Sequence, residues 1–63
     1  MTLQARNEGS LWLLIPQDDA AQDWLDAHTA GQWFGGGLVV EPRYVDDIVQ
    51  GFEGAGGLVN FKL

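Results

Sequence analysis

Cysteine is absent from this 63-residue chain, which excludes a disulfide scaffold and any zinc site built on thiolates. A chain without cysteine suits a reducing compartment, and the expected location is the cytoplasm. Long apolar runs are also missing. The longest, Leu11 to Ile15, falls far short of the ~20 residues a membrane span requires. Met1 to Glu8 lacks the basic-then-apolar order of a secretory signal. Basic residues are scarce: Arg6, Arg43 and Lys62 stand against nine acids, for a formal net charge of -6. That balance disfavours direct contact with nucleic acid or an anionic membrane and favours a basic protein as partner.

The motifs of common chemistries are missing as well. No D-x-D-x-D-G calcium loop occurs, and neighbouring acids such as Asp18-Asp19 and Asp46-Asp47 point about 100° apart on a helix, so neither pair makes a metal cage. Gly35-Gly36-Gly37 is not followed by the Lys-Ser/Thr of a phosphate loop. Gly51, Gly54, Gly56 and Gly57 precede a strand rather than a helix, the wrong order for dinucleotide binding. His28, the lone histidine, suits the last carbonyls of a helix, and Ser10 has no spacing relation to it that would mark a nucleophile and base. The expectation is a protein that is not an enzyme and takes no cofactor or metal.

What is present is an apolar fraction of 46%, with three Trp and three Phe, enough for one small core and too apolar for a disordered acidic tail. The whole chain, 1–63, reads as one domain. Met1, Leu3 and Ala5 alternate with Thr2, Gln4 and Arg6, the period of a strand. Asn7-Glu8-Gly9 supplies turn chemistry. Ser10 to Ile15 reads as a strand covered on both faces or central in the sheet, and Pro16 stops it. A helix follows, with Asp19 as N-cap and Gln22 closing a capping box. Ala20, Ala21, Trp24, Leu25 and His28 share its apolar side, and Gly31 ends it.

Gln32 to Glu41 is strand-like and interrupted by its three glycines, either as a hairpin or as one bent strand. Pro42 opens a second helix with Tyr44, Val45, Ile48, Val49 and Phe52 on its apolar side. In the last segment Val59, Phe61 and Leu63 face one way, Asn60 and Lys62 the other. The order (β)-β-α-β-α-β predicts an α+β fold: a small mixed sheet of three to four strands with two amphipathic helices on one face. Trp12, Trp24, Phe52 and Phe61 are the expected core, and Trp33-Phe34 is expected to pack inside, with an exposed interface anchor as the alternative.

The acids carry the functional argument. Asp19, Asp23 and Asp26 occupy successive turns of the first helix, about 5 Å apart along its axis, which approximates the repeat of a phosphate strand. Asp18 stands just before them. Asp46, Asp47 and Glu53 line the polar side of the second helix, where Arg43 is placed to pair with Asp47. With the helices side by side, these seven residues form one acidic surface for Lys and Arg of a partner.

In size, charge and the acid-lined segments Asp18–Asp26 and Asp46–Glu53, the chain resembles the small acidic anti-CRISPR proteins of phages and mobile elements that imitate DNA. The resemblance implies binding to the basic groove of a type I CRISPR effector subunit that admits target DNA and its protospacer-adjacent motif. The expected partner is thus a basic nucleic-acid-binding protein such as a Cas subunit, bound by a monomer or weak homodimer. Arg6, Arg43 and Lys62 depart from a purely acidic mimic. The alternative is an antitoxin-like module or small complex subunit that binds through Trp33 and Phe34 or through the edge of strand Leu58–Leu63.

Overall fold

The computed structural model describes residues 1–62. Along them run β1 (Thr2–Asn7), β2 (Trp12–Pro16), α1 (Asp19–His28), β3 (Gln32–Phe34), β4 (Gly37–Val40), α2 (Pro42–Gly54) and β5 (Leu58–Lys62). The strands form one mixed sheet in the spatial order β3-β4-β2-β1-β5. All neighbours are antiparallel except β1 and β5, which are parallel. A parallel pair needs a crossover, and α2 supplies it by carrying the chain from β4 over β2 and β1 to β5. Helix α1 similarly spans from β2 to β3, with β4 between them. The α+β class and the pair of helices are as expected. The sheet has five strands, more than the three or four expected, because both the N-terminal alternating segment and Gln32–Phe34 pair.

The glycine run is a hairpin. Phe34 pairs with Gly37, and the two residues between them have positive φ, 57° at Gly35 and 80° at Gly36. Positive φ at both central positions is the type I′ pattern, whose twist matches that of the flanking strands.

Helix α1 is capped by Asp18, not Asp19. One oxygen of Asp18 accepts the Ala21 N–H at 2.8 Å, and the other accepts the Thr2 N–H at 3.0 Å. The second bond decides the position of the cap, since only Asp18 reaches both the helix end and β1. The expected capping box does not form: the Gln22 amide instead donates to Asp26, 3.3 Å away.

Helix α2 begins at Pro42 and ends in a Schellman motif. The Gly57 N–H donates to the Phe52 carbonyl and the Gly56 N–H to that of Glu53, both at 3.0 Å, with Gly56 at φ 92°. A Cβ on Gly57 would lie 2.3 Å from the Phe52 ring, so this glycine is demanded by packing as well as by the turn.

The core lies between the sheet and the helices. Leu3, Ala5, Leu14, Leu38 and Val40 come from the strands, Ala21, Leu25, Val45, Val49 and Phe52 from the helices. Of the four expected core aromatics, only Phe52 is fully buried. Trp12 and Trp24 are half-buried against the core. Phe61 faces the helix side beside Ala5, but on an edge strand, and is 52% exposed; it meets Trp12 edge-on at 6.1 Å. Leu63, grouped with it by the alternation, lies outside the described residues. Helices cover only one face of the sheet. Strand β2 is central, as read, but Leu13 and Ile15 on its other side are only half-buried.

Candidate acidic interaction surface

The seam between the helices orients every acid on them. The Trp24 ring stands edge-on to Phe52 at 5.3 Å, and a Cβ on Gly51 would touch it at 3.4 Å. One turn on, His28 stacks on Trp24 at 4.2 Å, while its Nδ1–H donates to the Trp24 carbonyl at 2.8 Å. This is the helix-terminal role expected for His28. Pairing of Trp24 with Gly51, and of His28 with Asp47 and Ile48 around one hollow, sets the helices antiparallel and side by side.

At about 100° per residue, Asp19 and Asp26 then point to the flank of α1 away from α2. Asp46 and Glu53 point to the flank of α2 away from α1. Asp23 and Asp47 lie near the crests between these flanks. The expected single acidic surface is therefore a convex layer, with one shoulder of acids on either side and two acids on the crests. The physical reason is the seam itself, which Trp24, Ile48 and Gly51 occupy with apolar atoms, driving the charges outward.

All seven predicted residues are exposed, but they are not equivalent. Asp18 is tied into the α1 cap and lies 4.0 Å from the N-terminal ammonium, so its carboxylate is largely committed to the fold. Asp26 accepts from the neutral Gln22 amide, which brings no opposite charge. Asp19, Asp23, Asp46, Asp47 and Glu53 make no ion pair among the described residues. The expected Arg43–Asp47 pair is absent from them. Arg43 turns to Glu41 at 3.3 Å and lies over the Tyr44 ring at 4.9 Å. A base placed before an acid at i,i+4 is the weaker orientation on a helix, and here the N-cap acid competes for it. Asp47 is consequently left without a basic partner among the described residues.

Glu41 belongs to the site and was not anticipated. It joins His28, Tyr44 and Asp47 around an open hollow of about 440 Å³ floored by β4. Carboxylates beside aromatic rings suit an ammonium or guanidinium group. The sequence carries no signal of this grouping, since His28 and Asp47 come together only through the helix pairing.

Trp33 and Phe34 do not pack inside. They are 38% and 74% exposed, since β3 is a short edge strand beyond the reach of the helices. No group of three or more His, Asp or Glu able to hold a metal ion occurs among the described residues. None of the helices among them is long and apolar enough to cross a membrane. No protein-family model, curated protein or solved structure matches the chain.

Proposed function

We propose that this chain is an acidic inhibitor that seats its helical layer in the cationic, nucleic-acid-binding groove of another protein and excludes DNA by occupancy and charge. The observation that carries this reading is the placement of Asp19, Asp23, Asp26, Asp46, Asp47 and Glu53 on one side of the sheet, none of them paired with a base among the described residues. A convex layer with acids on both shoulders suits a concave groove better than a flat patch. Each pair with a partner's Lys or Arg contributes only about 0–1 kcal/mol at a rim, so affinity rests on many charges and on fast steering.

Following the resemblance to anti-CRISPR proteins, the specific target is the subunit of a type I CRISPR effector that admits DNA beside its protospacer-adjacent motif. The test is target-DNA binding by a purified type I effector complex, titrated with this chain at low and high salt. Inhibition that weakens steeply with salt, and that is lost in an Asp23→Lys/Asp47→Lys variant of unchanged circular dichroism, supports the proposal. Inhibition retained by that variant removes this face from consideration.

A second reading is favoured by the exposure of Phe34: an interaction module of antitoxin or small-subunit type that uses Trp33 and Phe34. Capture of its partner would be insensitive to salt and lost on Phe34→Ala.

A further inference from the structure

We propose that the uncovered face of the sheet is a self-association surface, occupied by a second copy of this chain stacked sheet against sheet. The face divides in two. On the β3-β4-β2 side, the strand register aligns Phe34 with Gly37 and Ile15 in one row, and Val39 with Leu13 in the next. Ile15 and Leu13 close over Gly37, whose missing Cβ would lie 3.2 Å from Ile15. On the β1-β5 side the same rows continue as Gln4 with Asn60 and Arg6 with Lys62.

Three observations select a second copy as the occupant. The first is charge. Apart from Glu8, which pairs with Arg6, every acid lies on α1, α2 or their caps. Two copies that each carry a net charge of -6 therefore meet through this face without bringing their acidic layers together. The second is shape. Phe34, 74% exposed, forms one wall of a hollow of about 360 Å³ whose other walls are Leu11, Leu13, Trp33 and Val39, with Glu8 and Gln32 at its polar side. A two-fold axis crossing the strands places the Phe34 of each copy at the hollow of the other, the reciprocal contact that an isologous interface requires.

The third is area. One broad face of a body with Cα extents of 27 × 19 × 18 Å is about a fifth of its surface, and a fifth of 3947 Å² is roughly 800 Å² per copy. Two copies stacked over the whole face, its polar half included, would bury at most roughly 1,600 Å², which reaches the size of a standard stable interface. Two twisted sheets stacked in this way form an aligned sandwich.

Self-association is independent of the acidic-inhibitor reading, and salt separates them. Salt weakens capture by a cationic groove and leaves an apolar dimer unchanged or tighter. The experiment is sedimentation equilibrium of the intact chain from about 10 to 300 μM, a range that spans weak and moderate dimers. It is paired with isotope-filtered NMR on a mixture of labelled and unlabelled chain.

The expected result is a dimer, not weakened by salt, with intermolecular contacts from the Phe34 ring to the Leu13 and Val39 methyls. Phe34→Lys, at an exposed site that the fold does not need, should weaken it by at least about tenfold with circular dichroism unchanged. Phe34→Ser serves as a second variant if the lysine disturbs the hairpin. A monomer throughout the range overturns the proposal. So does a dimer joined at the β5 edge or the helical layer, one indifferent to both substitutions, or a face that is engaged only by a different protein.

Discussion

Neighbouring residues of a single strand, Leu14 and Leu13, sit in opposite environments. Leu14 is sealed under the helices and touches only core, whereas Leu13 stands on the uncovered side. Around Leu14 the molecule is apolar inside and acidic outside, since the helices that cover it carry the charges. Around Leu13 it is apolar at the surface, beside the Arg6–Glu8 ion pair, with Lys62 one strand further along the same row. The two sides of one sheet therefore differ in chemistry, acidic over the helices and apolar passing to basic on the other. A small chain separates the two by sending almost all its acids to its helices.

Substitutions along β2 give the largest test of that contrast. Leu14→Ala should cost about 2–5 kcal/mol, enough to unfold much of a small domain, while Leu13→Ala should cost less than half as much. Urea denaturation of the two variants measures both, and equal losses would mean that the open face is covered in solution. Gly57→Ala comes next, because its methyl meets the buried Phe52 ring; a loss of about 1–3 kcal/mol is expected, read as a lower midpoint in the same assay. Asp18→Ala should cost about 1 kcal/mol, and Asp19→Ala much less, since only Asp18 caps α1. The smallest stability change belongs to Asp23→Asn. Removing one like charge from the row with Asp19 should stabilise by a few tenths of a kcal/mol, while binding to any cationic partner falls. A stability loss there would show that Asp23 has a structural role.

Much of the architecture was legible. The period-two alternation around Leu3 and Ala5, the two helical stripes and Pro42 at a helix start all reappear in the structure. Size misleads: Trp12 and Phe61 are expected in the core, yet Trp12, at the first position of the central strand, is only half-buried against it, and Phe61 lies on the edge strand β5. A short strand's position in the sheet, and hence its cover, follows from pairing with distant segments. Trp33 and Phe34 failed for the same reason, since β3 pairs with one neighbour only. The exposure of the acids on two helices follows from helical spacing, apart from Asp18, which caps α1. Their division into shoulders and crests does not, because it depends on which side of each helix the other one occupies.

Charge balance, helical stripes, turn glycines and the absence of cysteine are properties of local composition and spacing, and they already determine an acidic α+β chain with its carboxylates on helix surfaces. Tertiary structure alone decided that Asp18 caps α1 while it also binds β1, that Arg43 pairs with Glu41 rather than Asp47, and that Leu13, Val39 and Phe34 share an open face. Each of these joins groups far apart in the chain or chooses among competing partners. Such a choice is made by the packing of whole elements, which no local pattern of residues encodes.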